Sequence, residues 1–174
     1  MINMDVDIEY EFDLTPETST DYQCSTRIIE WLKSNMENLT DAKNQKVFSK
    51  VNLGYNEDSI KGFGKKPVCD VYIHSISYDS DLTHNVPDNV TTFIICYLKG
   101  NMNKTYLKAT ELTDYLIQEF NDNGSFRRLT ITEDDVVLNI VRDTFIRDVQ
   151  FQIIPSGKTY GLICAFELEH ELIK

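Results

Sequence analysis

The most regular hydrophobic pattern in the chain predicts a strand followed by a turn within residues 90–101. Val90 to Leu98 is almost continuously apolar and rich in β-branched and aromatic side chains. Such a run is typical of a central strand that is covered on both faces. Lys99-Gly100-Asn101 interrupts it with residues that favour a turn.

A helix is predicted from Thr105, where the apolar positions begin to recur about every 3.6 residues. Its apolar stripe consists of Ala109, Leu112, Leu116 and Phe120. Asn and Gly residues at 121–124 predict that the helix ends there through a residue in the left-handed conformation. The strand and the helix together predict a scaffold in which one helix face packs on a sheet.

Residues 5–14 alternate strictly between acidic and apolar side chains, which predicts a strand with two different faces. The acidic face consists of Asp5, Asp7, Glu9, Glu11 and Asp13, and the apolar face of Val6, Ile8, Tyr10, Phe12 and Leu14. One interpretation is an edge strand whose acidic face meets solvent. The other is an arm that pairs with a neighbouring subunit, or a face that lines a channel.

The remaining segments predict one further helix, several strands and a C-terminal hairpin. The helix spans about 20–38, with capping-box spacing from Thr20 to Gln23. The predicted strands are 47–53, 67–78, 127–132, 136–141, 145–154 and 159–172. The last two form a hairpin with a four-residue connection at 155–158. Glycine-rich residues 54–66 predict a mobile loop.

These elements predict an α+β fold with a single domain over residues 20–174, preceded by an acidic strand or arm over 1–19. The sheet is expected to be mixed but mostly antiparallel, and flanked by two amphipathic helices, with the hairpin at its C-terminal end. The expected core anchors are Ile28, Trp31, Leu32, Phe93, Ile95, Leu112, Leu116 and Phe120.

Composition limits the function classes. The chain has 174 residues, a net charge of -11 and a pI near 4.6, which argues against binding nucleic acid by neutralising its phosphates. We expect neither a transmembrane segment nor a secretory signal. The cysteines are widely spaced in apolar contexts, which predicts buried free thiols in a reducing compartment; they are Cys24, Cys69, Cys96 and Cys164.

Candidate reactive groups do not form a recognisable catalytic or ligand-binding motif. Gly157-Lys158-Thr159 resembles the end of a P-loop but lacks its earlier glycine and its helix. His74, His84 and His170 lack metal-ligand spacing. The best metal candidate is a group of acids, Asp134, Asp135, Asp143 and Asp148. We therefore expect no catalytic residues, no cofactor and no metal, and hence no enzymatic activity.

The order of elements over residues 20–172 resembles that of the tail-terminator and related neck proteins of long-tailed phages. The resemblance rests on the helix TDYQCSTRIIEWLKSNMENL, the strand–helix pair VTTFIICYLKGNMNKTYLKATELTDYLIQEF and the closing hairpin RDVQFQIIPSGKTYGLICAFELEHEL. It implies a mixed sheet flanked by helices and a ring of subunits, commonly a hexamer. It implies no catalytic residues.

The same resemblance implies a structural role in the virion. The ring would cap the tail tube at its head-proximal end, stop polymerisation and present the surface that joins the head. The implied partners are further copies of the chain, the tail tube protein and a head-side connector or completion protein. DNA would pass through the lumen without specific binding, and assembly would take place in the host cytoplasm.

Three alternatives remain open at the level of the sequence. The first is a head–tail connector or head completion protein, which shares the general αβ plan. The second is a soluble acidic protein that mimics DNA and binds a basic partner in a salt-dependent way. The third is a metal-dependent enzyme that uses the acids between residues 133 and 148.

Overall fold

The computed structural model describes residues 24–60, 66–78, 87–133, 136–156 and 159–173. In chain order the elements are α1 (Cys24–Asn38), β1 (Lys50–Leu53), a 3-10 helix (Glu57–Ile60), β2 (Val68–Ser77), β3 (Asn89–Gly100), α2 (Met102–Asp122), α3 (Gly124–Arg127), β4 (Leu129–Glu133), β5 (Val136–Ser156) and β6 (Thr159–Leu172). The predicted acidic strand 5–14, the arm 1–19 and the predicted cap at Thr20 lie outside the described residues.

The six strands of the described residues form one sheet in the order β1-β2-β3-β6-β5-β4. β1 and β2 are parallel, and every other neighbouring pair is antiparallel. The predicted α+β class with a mixed, mostly antiparallel sheet is therefore confirmed. β3 is central, as its apolar sequence indicated, with β2 on one side and β6 on the other.

Helices α1 and α2 pack on the same face of the sheet and form the hydrophobic core with it. The buried side chains of α1 are Ile28, Leu32 and Met36, and the apolar ones of α2 are Ala109, Leu112, Leu116 and Phe120. They pack against β3 through Val90, Ile94, Cys96 and Leu98, and against matching positions of β2 and β6. Each buried leucine or isoleucine contributes about 1.5–3 kcal/mol of transfer free energy.

Two of the expected core anchors lie on the opposite face. Strict alternation along β3 places Phe93 and Ile95 away from the helices, where both are only half-buried. The continuous apolar run had indicated that β3 is covered on both faces; α1 and α2 cover one face, and on the other Phe93 and Ile95 are only half-buried. Trp31 is also half-buried; it packs against the core and its Nε1 donates to Ser125 O at 2.8 Å.

β5 is one long strand, and the prediction of separate strands at 136–141 and 145–154 was wrong. It runs for 21 residues, and its register shifts twice against β6, between Val141 and Asp143 and between Ile146 and Asp148. At each shift one extra residue, Arg142 or Arg147, enters the strand. Such a bulge interrupts the two-residue alternation of side chains without ending the strand. In the sequence pattern alone, this interruption looks like the end of one strand and the start of another.

Several boundaries also differ from the prediction. Ser156 pairs with Thr159, so the hairpin connection has two residues rather than four. α2 begins at Met102 instead of Thr105. It does not end through a left-handed residue: Asn123 has φ -94° and ψ 109°, and its side chain accepts a hydrogen bond from Ser125 N to begin α3. The Asn123 side chain caps the first turn of α3, so α2 ends without the left-handed residue that was expected.

Candidate functional site: an open sheet edge and its surroundings

The most concentrated polar cluster surrounds Asp70, which is completely buried on β2. Its Oδ1 accepts hydrogen bonds from Asn52 Nδ2 and from Ser59 Oγ, both at 2.8 Å. Its Oδ2 accepts from Asn56 N at 3.0 Å. These contacts fasten the 3-10 helix and the chain before it onto the outer face of the sheet. A buried carboxylate with this many donors serves to hold a loop in place.

Tyr97 lies next to this cluster and is also completely buried. Burial, and then the nearby Asp70 carboxylate, raise the pKa of the Tyr97 phenol well above its usual value. The phenol is therefore protonated at neutral pH.

A second buried polar group is His170 of β6. Thr144 Oγ1 donates to Arg127 O at 3.2 Å, so it accepts from His170 Nδ1 at 2.9 Å. Thr92 Oγ1 then donates to His170 Nε2 at 2.8 Å. Trp31 packs edge-on against the imidazole at 5.8 Å between ring centroids. Burial lowers the pKa of His170 to about 3, so this ring is a neutral link between strands.

Cys69, Cys96 and Cys164 lie directly opposite one another on β2, β3 and β6. All three are free and completely buried beneath the helices, as predicted; Cys24 begins α1, and its side chain is outside the described set. Burial raises the pKa of the Cys164 thiol to about 12 and that of Cys96 well above its usual value. Cys96 and Cys164 are therefore thiols at neutral pH, and all three cysteines pack as core side chains.

The acids proposed as a metal site do not converge in the described part of the chain. Asp143 binds Arg127 through two hydrogen bonds, at 2.9 and 2.7 Å, which lower the pKa of that carboxyl. Asp148 accepts from Val149 N and from its neighbour Gln150. Asp134 and Asp135 lie outside the described residues, and no group of three or more metal-ligating side chains occurs within them.

A groove of about 1150 Å³ lies between α2 and the last turn of α1 with the loop that follows it. Its walls include apolar side chains such as Leu39, Leu98 and Leu112. Its charged residues are Lys46, Lys66, Lys99, Lys104, Lys108, Asp41, Glu111 and Glu119, a local excess of two positive charges (five minus three). Two of these lysines donate hydrogen bonds to backbone carbonyl oxygens: Lys46 Nζ donates to Glu37 O, and Lys66 Nζ donates to Lys46 O.

The outer face of β6 carries a row of glutamates that was not predicted from the sequence. Glu167, Glu169 and Glu171 alternate along this face. Arg147 binds Glu169 at 2.7 Å, and Arg142 binds Glu171 at 3.3 Å. The extra residues at the two bulges of β5 therefore neutralise part of this acidic row.

The far edge of β5 is open over most of its length. β4 pairs with β5 only from Val136 to Val141. Beyond Phe145, no strand of the described chain lies on the side of β5 that faces away from β6. The register against β6 is regular from Asp148 to Ser156, so this stretch offers a straight row of backbone donors and acceptors.

Residues 149–154 of this edge read VQFQII and carry no charge, glycine or proline. Phe151 is 41% exposed and Ile153 is 47% exposed, although both lie on the helix-covered face. A small cleft beside them is lined by Met102, Tyr106 and Tyr160 among others, and the rings of Tyr106 and Phe151 are 6.3 Å apart. We call Met102, Tyr106, Phe151, Ile153 and Tyr160 the edge patch.

Phe151 and Ile153 lie in the first arm of the predicted hairpin, residues 145–154, and their exposure was not predicted. Their exposure follows from the position of α2, which covers β3 and β6 but leaves the far side of β5 uncovered. The available signal was the uncharged, β-prone hexapeptide in a chain that is 26% charged. The predicted acidic face, Asp5, Asp7, Glu9, Glu11 and Asp13, lies outside the described residues.

Comparison with models of protein families finds no match for this chain, and a search of curated proteins finds none either. Among the described residues, no helix combines the length and the apolarity that crossing a lipid bilayer requires.

Proposed function

We propose that this protein is a structural subunit that assembles with copies of itself into a ring, and that the ring is the tail terminator of a long-tailed phage. In this role it stops polymerisation of the tail tube and offers the surface to which the head joins. The mechanism is steric and interfacial, and no reacting group of the chain takes part. The subunit acts in the virion after assembly in the host cytoplasm.

The observation that supports this proposal best is the uncharged open edge at residues 149–154 beside the edge patch. A regular edge that is apolar and carries no charge is an aggregation hazard in a monomer, and proteins usually protect such edges with lysine, proline or a bulge. On β5 the bulges at Arg142 and Arg147 precede this stretch, and Pro155 follows it. The unprotected segment is therefore best explained as a surface that is covered on assembly.

A ring follows if the surface that covers this edge is a different part of the next subunit. Such head-to-tail contacts close into rings when the rotation between neighbours permits it. The net charge of -11 per copy disfavours contact with DNA phosphates wherever the acids face the lumen. At physiological salt this repulsion extends about 8 Å, so it would act as a lining of the channel.

The alternative functions receive less support. A head–tail connector could use the same edge, and only its position in the virion separates it from a terminator. A DNA mimic requires unpaired acids, whereas Glu169 and Glu171 of the outer row bind arginines of the same chain. A metal-dependent enzyme would use Asp143, which is bound to Arg127 at 2.7 Å.

Electron microscopy tests the proposal at two levels. The purified protein should form closed rings with a central channel, and addition of preformed tail tubes should place a ring at one end of each tube. Phage lacking the gene should produce tails of uncontrolled length. Normal tails that fail to join heads would instead assign the connector role, and a protein that remains monomeric at every soluble concentration would refute both.

A further inference from the structure

Beyond Phe145, no strand of the described residues pairs with the outer edge of β5, and the surroundings of this edge specify what kind of strand would fit. Residues 145–156 span about 40 Å at about 3.3 Å per residue. On the helix-covered face the adjacent side chains are apolar, namely Phe151 and Ile153 with Tyr106 beside them. On the outer face the same stretch presents Phe145, Asp148 and the amides of Gln150 and Gln152. A complementary strand is therefore apolar on one face and polar on the other.

Residues 5–14 match this requirement in length and in pattern. Ten residues in an extended conformation span about 33 Å, which fits within the open edge. Their apolar side chains alternate strictly with carboxylates. In the register that places Ile8 and Phe12 next to the edge patch, Asp7 and Glu9 emerge beside the glutamine amides, which can donate hydrogen bonds to them.

We infer that residues 5–14 of a second copy of this chain bind the open edge of β5 as a seventh strand of the sheet. The backbone hydrogen bonds supply affinity, and the alternating side chains fix the register, as in other cases of strand addition. This inference rests on the proposed self-assembly, because it identifies which two surfaces of neighbouring subunits meet. It gives a head-to-tail contact, which is the type that a ring requires.

We assign the strand to a second copy because the proposed ring requires a contact between two subunits. α1 begins at Cys24 and packs over β1 and β2, at the opposite end of the sheet from β5. Between β2 and β5 lie two strands, about 14 Å of sheet at about 4.8 Å per strand spacing, and these strands are covered by α2. Pairing of residues 5–14 with the edge of their own chain is the competing arrangement, and isotope labels in a crosslinking experiment distinguish the two.

Photo-crosslinking tests this contact in the full-length protein. Phe151 is replaced by benzoylphenylalanine, a conservative change at an exposed aromatic position, and unlabelled protein is mixed with ¹⁵N-labelled wild-type protein before illumination. We expect an adduct between residue 151 and the tryptic peptide of residues 1–27, which ends at the first basic residue, Arg27. The adduct should join one unlabelled and one labelled peptide. The matched control carries the probe at Leu53, which is 49% exposed on β1, and should give no adduct with that peptide.

A second experiment changes the arm itself and separates this inference from the proposed ring. Ile8→Asp and Phe12→Asp should each raise the protein concentration needed for oligomer formation at least tenfold, whereas Glu17→Gln, a charge change outside residues 5–14, should leave it unchanged. Circular dichroism should be the same for all variants. If wild-type protein forms rings but the two aspartate variants assemble equally well, the arm is not the contact and the ring stands. Adducts confined to peptides of the same label, or formed outside residues 1–27, would also overturn the inference. A wild-type protein that never assembles would overturn the ring and the arm contact together.

Discussion

The buried imidazole of His170 makes the fold sensitive to moderately acidic pH. Burial lowers the pKa of His170 from 6.5 to about 3, so the folded protein excludes a proton that the unfolded chain binds below about pH 6.5. The resulting stabilisation is fully present above that pH and is lost progressively as the pH falls toward the folded-state pKa. Protonation would also place a charge between Thr92 and Thr144, deep under Trp31.

The size of the effect follows from the difference between the two pKa values. A pH of about 5 lies about 1.5 units below the pKa of the unfolded imidazole, and each unit corresponds to about 1.36 kcal/mol. The free energy of unfolding should therefore fall by about 2 kcal/mol between about pH 7.5 and about pH 5. The pKa values of Asp143 and Glu169 are lowered from 3.8 and 4.5 by their arginine partners. Their contributions are therefore lost mainly at lower pH.

Urea unfolding at the two pH values, at a concentration where the protein is monomeric, measures this difference. His170→Gln keeps one donor and one acceptor but cannot bind a proton, so its unfolding free energy should be nearly the same at both pH values. His74→Gln is the matched control, since His74 is exposed on β2 and packs on Phe93; it should retain the wild-type dependence. An unfolding free energy of the wild type that does not change with pH, or a His170→Gln variant that keeps the full slope, would refute this reasoning.

Three further substitutions test the core and its polar links by urea unfolding. Leu116→Ala should lower the free energy of unfolding by about 2–5 kcal/mol because Leu116 is completely buried. The control Leu107→Ala, on the same helix at a position that is 61% exposed, should change it by less than about 0.5 kcal/mol. Equal effects of the two substitutions would contradict the assignment of the buried face of α2. Asp70→Ala should cost about 3 kcal/mol or more, since it leaves three buried or half-buried donors without their acceptor; a neutral result would contradict the role of this carboxylate as a loop anchor. Trp31→Phe should cost about 1 kcal/mol through loss of the hydrogen bond to Ser125 O, and an unchanged stability would show that this bond contributes nothing.

The elements that the sequence predicted well are those whose pattern is local. The stripe of Leu112, Leu116 and Phe120 specifies which face of α2 is buried, because helical geometry alone relates these positions. The alternation along β6 likewise specifies that Cys164 and Phe166 face the helices. Each of these predictions needs no knowledge of which strands are neighbours.

The features that the sequence did not reveal depend on pairing between distant segments. The bulges at Arg142 and Arg147 are defined only relative to β6, and in the sequence they look like interruptions. Phe93 and Ile95 are as hydrophobic as Ile94, so composition could not show that the described helices cover one face of β3. The alternation along β3 contained this information, but a continuous apolar run conceals it.

The open edge of β5 is another feature that the sequence did not reveal. Its existence depends on β4 ending its pairing at Val141, while β5 continues to Ser156, and no local pattern fixes the relative length of two paired strands. The absence of charge in residues 149–154 was visible in the sequence, but an uncharged strand is equally typical of a sheet centre. Only the position at the edge makes it a candidate interface.

If the protein assembles through the open edge of β5, as proposed, its mass in solution must depend on that edge. Light scattering across a range of concentrations should show an oligomer for the wild type and a monomer for Ile153→Lys, which places a charge on the edge. Leu53→Lys substitutes an equally exposed apolar strand residue, 49% against 47%, at the other end of the sheet, and should assemble as the wild type does. A wild-type protein that is monomeric throughout, or an Ile153→Lys variant that assembles normally, would contradict the account.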